Sequence, residues 1–148
     1  MKVSTKGRYG LRALLDLTIH SKENHVSLVS IAERQQISLN YLEQVFAALR
    51  KGGVVKSIKG SQGGYSLSSR PDKIFISDII QILEGDFNII DEVLYTNGEP
   101  DLVQLTIQQV VWDRINDTIK DLLEHITLED LANEFISKKN HGQDMYYI

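Results

Sequence analysis

The sequence predicts a mainly α-helical fold with one small β-hairpin, and a long helix towards the C-terminal end. Three observations carry that prediction. Apolar residues recur at helical spacing in the first segments. The stretch KSIKGSQGGYSLS, residues 56–68, sets a glycine-rich basic turn between two alternating runs. Further on, Leu105, Gln108, Trp112, Ile115, Ile119, Leu122 and Ile126 alternate three and four residues apart, a seam interrupted only by Gln108.

The first helix is expected in KGRYGLRALLDLTIH, where Leu11, Leu14, Leu15 and Ile19 share a face and Gly7 and Gly10 weaken the first turns. A second follows Ser27 as N-cap, with Leu28, Ile31 and Ala32 inward. A third follows Ser38, with Leu39, Leu42, Val45, Phe46 and Leu49 as its stripe and Gly52 and Gly53 as its stop. Only a tight turn around Gln36 and Ile37 separates these two, which makes a helix-turn-helix. The strands VVKSI and GYSLS then form a hairpin, and a helix-turn-helix followed by a hairpin is a winged helix. Gly60, Gly63 and Gly64 are expected to take positive φ in the turn and to let backbone N–H groups approach a bulky partner.

SDIIQILEG reads as an amphipathic helix capped by Ser77 and ended by Gly85. Asn97 to Asp101 is turn chemistry, and Asp101 with Gln104 suits a capping box for the next helix. That helix, residues 102–125, would run about 36 Å at ~1.5 Å per residue. Val103, Ile107, Val110, Val111 and Leu123 widen its apolar surface, so it is expected to pair with its copy in a homodimer through Leu105, Trp112, Ile115, Ile119 and Leu122; packing inside a monomeric helical subdomain is the alternative. Thr127 and Asp130 cap a final helix, LEDLANEFISKK, and NHGQDMYYI reads as a polar linker ending in Tyr146, Tyr147 and Ile148. The expected division is a winged domain over residues 1–85 and a linker, long helix, short helix and tail over 86–148.

Composition narrows the function. The chain has 148 residues, enough for a real core, and no apolar run near the ~18 residues of a membrane span. The start has no apolar signal region, which fits a cytoplasmic protein. There is no cysteine, which removes thiolate nucleophiles, zinc-thiolate sites and cysteine-held iron–sulfur clusters. Residues 1–70 hold 11 Lys and Arg against 4 Asp and Glu, a net +7, whereas residues 71–148 hold 5 against 16, a net −11. Such asymmetry points the N-terminal half at a polyanion. Catalysis has no support: His20, His25, His125 and His141 do not fall at metal-ligand spacing, no nucleophile elbow occurs, and the glycine turn is no Walker loop. No catalytic residue, metal or cofactor is expected.

Duplex DNA is the polyanion that a dimeric winged helix suits. The face of the third helix opposite its apolar stripe carries Asn40, Gln44, Ala47 and Lys51, flanked by Tyr41 and Glu43. Asn40 and Gln44 match the N6/N7 edge of adenine, and Glu43 can accept from cytosine N4. Lys2, Lys6, Arg8, Arg12, Lys56 and Lys59 are expected at phosphates or the minor groove.

STKGRYGLRALLDL, SIAERQQISLNYLEQVFAALRKGGVVKSIKGSQGGYSLS and ISDIIQILEG closely resemble the Rrf-type winged-helix transcription regulators, the family of IscR, NsrR and CymR. The resemblance implies a dimer with crossed long helices that reads an inverted repeat. It implies Ser38, Asn40, Tyr41, Glu43 and Gln44 in the major groove, and Lys59, Gly60, Gly63, Gly64 and Tyr65 at the wing. The family usually has Arg where this chain has Lys59. Where cluster-binding members have three cysteines, this chain has FNIIDEVLYTNGEPD.

WDRINDTIKDLLEHITLEDLA and the ending MYYI resemble the cysteine-free CymR-like branch, which implies repression of cysteine and sulfur metabolism. The co-regulator there is cysteine synthase, an enzyme that accepts partner C-termini ending in isoleucine. Two alternatives stand beside it. One is a repressor sensing another ligand between the winged domain and the long helix. The other is an enzyme-binding module that acts through its tail without DNA.

Overall fold

The computed structural model describes residues 3–21, 24–86, 88–90 and 95–146. Helices α1 (Thr5–His20), α2 (Leu28–Gln35) and α3 (Leu39–Lys51) lead into strands β1 (Val55–Ile58) and β2 (Gly64–Leu67). The strands pair antiparallel, with Val55 opposite Leu67 and Ile58 opposite Gly64. Val26 adds a bridge to Tyr65, so the wing is stitched to the segment before α2. A short 3-10 turn (Pro71–Lys73) precedes α4 (Ile76–Glu84).

The caps follow the expected chemistry at three sites. Ser27 Oγ accepts from Ser30 N, and Ser38 Oγ accepts from Tyr41 N. Thr127 and Asp130 exchange hydrogen bonds, from Thr127 N to Asp130 Oδ2 at 2.9 Å and from Asp130 N to Thr127 Oγ1 at 3.1 Å. Two caps differ. Helix α4 begins two residues earlier than a Ser77 cap implies, after Phe75, and Ile76 N finds its partner in Ile126 O of a neighbouring segment. Asp101 does cap α5 (Leu102–Ile107), accepting from Val103 N and Gln104 N, but the reciprocal bond is absent and Gln104 Oε1 is buried without a partner.

A single core unites these elements. Leu14, Leu17, Ile31, Leu42, Phe46, Leu49 and Ile79 are fully buried in it, and so is Leu128 at the start of α7 (Leu128–Tyr146). Leu128 N donates to Ile74 O, so the first turn of α7 is anchored on the winged unit. Upstream, strands β3 (Tyr95–Thr96) and β4 (Glu99–Pro100) close over Asn97 and Gly98, both at positive φ, the geometry of a type I′ turn.

The long helix is continuous but not uniform. Helix α5, a π-helical turn over Gln108–Trp112 and α6 (Asp113–Glu124) follow without a break, since Ile107, Gln108, Trp112 and Asp113 all have right-handed helical angles. Asp113 N donates to Gln108 O, five residues back, and the buried Gln108 side chain donates to Asp113 Oδ1 at 2.8 Å. The extra residue in this turn rotates everything after it by about one helical position. The single seam expected from the spacing therefore splits. Leu105, Gln108, Trp112, Ile119, Leu123 and Ile126 are buried or half-buried, whereas Ile115 and Leu122 are exposed alongside Val103, Ile107 and Val111.

The C-terminal end also differs from expectation. Residues 140–146 are not a linker: α7 runs unbroken to Tyr146. A glycine ends a helix when it takes a left-handed cap, and Gly142 is not among the positive-φ residues. Tyr147, Ile148 and Lys2 lie outside the described residues, and only the backbone of Tyr146 lies within them. No described helix is long and apolar enough to cross a membrane.

Candidate nucleic-acid interface

Helix α3 shows two opposed faces. Leu42, Val45, Phe46 and Leu49 are buried, while Ser38, Asn40, Glu43, Gln44, Ala47 and Lys51 are exposed. Periodicity placed Asn40, Gln44, Ala47 and Lys51 on the face opposite the apolar stripe, and that face is exposed. Its N-terminal turn is held by the Ser38 cap and by the tight turn before it, where Gln36 is left-handed at φ 55°. Lys56, Lys59 and Gly60 are exposed on the wing, and Arg8 is exposed on α1, donating to Thr5 Oγ1 at 3.3 Å. Helix face, wing and α1 thus present amides, hydroxyls and cations on separate elements of one rigid core.

Several of these residues also have partners within the protein. Of the wing glycines only Gly60 has positive φ, at 125°. A Cβ on Gly63 would lie 2.4 Å from Ile58 O, and one on Gly64 would lie 2.4 Å from Val26 O. Gly63 N already donates to Gly60 O at 3.0 Å. These two glycines therefore serve close approach to the protein's own backbone, and that of Gly63 is not free for an outside partner. Tyr65 turns its ring against Phe46, centroids 5.0 Å apart, so it braces the wing on the core. His25 Nε2 meets Gln62 O at the wing tip.

Arg12 is held as well. Its Nη2 donates to Gln35 O at 2.8 Å, and its guanidinium lies 5.3 Å from the centre of the Tyr9 ring. Tyr9 meets Tyr41 edge-on, centroids 6.0 Å apart. Spacing alone did not find this contact, although Tyr9, Arg12 and Asp16 lie on one face of α1 and so could have been grouped.

Asp16 anchors the same region. Its fully buried carboxylate accepts from Arg34 Nη2 at 2.7 Å, Arg34 Nε at 3.0 Å and Gln35 Nε2 at 2.8 Å. Burial pushes its pKa up, but the hydrogen bonds from Arg34 and Gln35 and the charges of Arg34 and His20 outweigh that and hold it below the ordinary value. The bidentate Arg34–Asp16 pair ties α2 to α1 and keeps the helix-turn-helix at a fixed angle. Sequence reading missed it, because a lone Asp on an apolar helix carries no signal of its partner.

Nothing here resembles an active site. Among the described residues no three His, Asp or Glu side chains converge as metal ligands. The chain has no cysteine, so it offers no thiolates for an iron–sulfur cluster. A cavity of about 310 Å³ does open between α4 and α6, with Asp78, Gln81, Asn116 and Lys120 among its lining residues.

Comparison with known proteins agrees with this geometry. The family described as "Rrf2: Iron-dependent Transcriptional regulator" matches residues 3–134. The chain is 46% identical to the HTH-type transcriptional regulator CymR of Bacillus subtilis, over 90% of this chain and 91% of that protein. It is 37% identical to the regulator IscR of Pectobacterium atrosepticum, over 90% of this chain and 80% of that one. The solved structure of B. subtilis CymR superposes with a TM-score of 0.77 at 42% identity, covering 90% of this chain and 98% of that one. That of Staphylococcus aureus CymR, in its oxidized form, gives 0.69 at 38% identity, covering 89% and 96%. The iron in the family's description finds no cysteine ligand set in this sequence. A winged helix-turn-helix with an exposed polar face on its second helix, matched along most of its length to such regulators, is a transcriptional regulator and not an enzyme: the chain belongs to the Rrf2 family.

Proposed function

We propose that this regulator is a homodimeric repressor of cysteine and sulfur metabolism in the cytoplasm, reading an inverted repeat in duplex DNA and controlled by a complex with cysteine synthase. The observation that carries the DNA reading is the exposed row Asn40, Glu43, Gln44 and Lys51 on α3 beside the cationic wing. The dimer reading rests on exposed apolar residues of the long helix, where Leu102 is 72% and Val103 70% exposed. Such a stripe is covered directly by a second copy related by a twofold axis. The metabolic assignment rests on the CymR-like sequence; the B. subtilis relative is described as a global cysteine regulator.

Binding to a duplex enriched from a random pool tests the DNA reading. If each dimer neutralises roughly 6–10 phosphates, affinity falls about 10³–10⁵-fold between ~50 and ~200 mM salt. Glu43→Ala should relax preference at one base pair per half-site by about 1–3 kcal/mol, while Lys56→Ala weakens every sequence alike. Affinity flat in salt, or a Glu43→Ala protein with unchanged preference, would sink this placement.

A second reading is favoured by the cavity between α4 and α6. It lies between the winged unit and the long helix, where a small ligand would alter the angle between them. A repressor of that kind responds to its ligand with no cysteine synthase present. A module acting through its tail without DNA is disfavoured by the intact exposed face of α3.

A further inference from the structure

Helix α1 carries Tyr9, Arg12 and Asp16 on one face, and all three reach the reading head. The Tyr9 ring backs the Tyr41 ring at an interplanar angle of 82°. Tyr41 is the third residue of α3, and its own N–H is fixed by Ser38 Oγ at 3.1 Å. Arg12 lies over Tyr9 and donates to the carbonyl of Gln35, the last residue of α2. Gln35 is held a second time, through Nε2 to Asp16 at 2.8 Å. The next residue, Gln36, makes the left-handed turn into α3. One face of α1 thus grips both the turn and the first turn of α3.

Resting on the DNA-binding reading above, we infer that Tyr9 and Arg12 are positioning residues for sequence readout, acting through Tyr41 and the Gln35–Gln36 turn and not through phosphate. The chemistry suits the task. A guanidinium can stack on a ring and donate in its plane at once, which an ammonium cannot do. Two edge-on tyrosine rings restrict each other's tilt, so the ring beside Asn40 keeps one orientation as the protein meets DNA. Base readout needs side chains placed to a fraction of an ångström, whereas phosphate attraction tolerates displacement. Loss of the brace therefore harms specific binding and spares non-specific binding.

The test uses the full chain and a duplex enriched by the wild-type protein from a random pool, beside a scrambled duplex, each titrated at several salt concentrations. Tyr9→Leu, Arg12→Gln and Arg12→Lys should each lose about tenfold in affinity for the enriched duplex, the size of one misplaced base contact. Their affinity for the scrambled duplex and the slope of log affinity against log salt should not change. Tyr9→Phe keeps the ring and should behave as wild type. A slope reduced by about one phosphate contact per protomer in Arg12→Gln, with Arg12→Lys restoring it, would make Arg12 a backbone contact and overturn the inference. So would equal losses on both duplexes, or no loss on either. If Tyr9→Leu melts, the Arg12 pair decides, since that side chain is exposed. If the wild type enriches no duplex at all, the DNA-binding reading itself falls, a result distinct from normal wild-type binding with indifferent variants.

Discussion

The carboxylate of Glu84, at the end of α4, accepts a hydrogen bond from the backbone N–H of Gly7 at 3.0 Å. The same oxygen takes the N–H and the hydroxyl of Ser4. Three donors at the start of α1 thus converge on an acid 77 to 80 residues away. An acid there offsets the orphan N–H groups and the positive end of the helix dipole. A Cβ on Gly7 would lie 2.2 Å from that oxygen. Glu84→Ala should cost about 1–2 kcal/mol in urea unfolding. Gly7→Ala should also destabilise, by displacing the carboxylate. In the Glu84→Ala background the same Gly7→Ala change should become close to neutral, since the better helix propensity of alanine, up to ~1 kcal/mol, is then set only against a shift of the Val3 methyl that lies 2.9 Å from that Cβ. Additive losses in the double mutant would show that the two residues act apart.

Asp16 makes stability depend on acid. Its pKa is lowered in the folded protein, where the bonds from Arg34 and Gln35 and the nearby charges outweigh the effect of burial. A group whose folded pKa is depressed contributes stability above its unfolded value, and that contribution is lost as pH falls through the folded value. The window therefore opens below the ordinary value of 3.8. Asp16→Asn should cost about 3 kcal/mol at neutral pH, at the low end for a broken buried pair because Arg34 is 35% exposed. The gap between variant and wild type should narrow as pH drops below ~4. A gap independent of pH in urea titrations would remove the charge from the explanation.

The π-helical turn separates two residues that simple spacing places on one seam. Ile115 is 37% exposed, and Ile119 is half-buried. Ile115→Asp should leave the protomer folded, with unchanged far-UV dichroism, and abolish the dimer in ultracentrifugation. Leu123→Asp should instead lower protomer stability by roughly 2–3 kcal/mol, because Leu123 packs against the core of the winged unit and a carboxylate there is forced against it. A stable dimer of Ile115→Asp would take this face out of the interface.

How much of this was legible beforehand follows from the range of each interaction. Ser27, Ser38 and the Thr127–Asp130 box act within four residues, so their caps could be read directly, and so could the hairpin around its glycines. The seam through Trp112 and Ile115 could not, because the rotation depends on Gln108 bonding Asp113 and on the segment near Ile90 that it also meets. The polar run NHGQDM looked like a linker, but α7 continues through it to Tyr146. The sequence shows the charge of Arg12 but not its bond to the carbonyl of Gln35. The ring partner of Tyr65, Phe46, is likewise 19 residues away and carries no local signal.

The tail gives the last prediction. Helix α7 leaves the core after its first turns, and residues 133–141 are exposed along it. It carries the chain to Tyr146, after which Tyr147 and Ile148 follow. Residues exposed along a terminal helix are open to a second protein. A terminal carboxylate is recognised by backbone N–H groups while the last side chain fills a pocket. An enzyme whose own substrate is an amino acid presents such a site, and cysteine synthase is one. Occupancy of that site by Ile148 would set the enzyme's substrate in competition with the regulator, so sulfur supply would reach transcription without a cysteine in the sensor. Deleting Ile148 should abolish the complex in calorimetry and leave the dimer intact. It should also remove any enzyme-dependent gain in DNA affinity. O-acetylserine should dissociate the wild-type complex. Equal affinity for the enzyme with and without Ile148 would mean that the signal enters elsewhere, with the cavity between α4 and α6 as the next place to look.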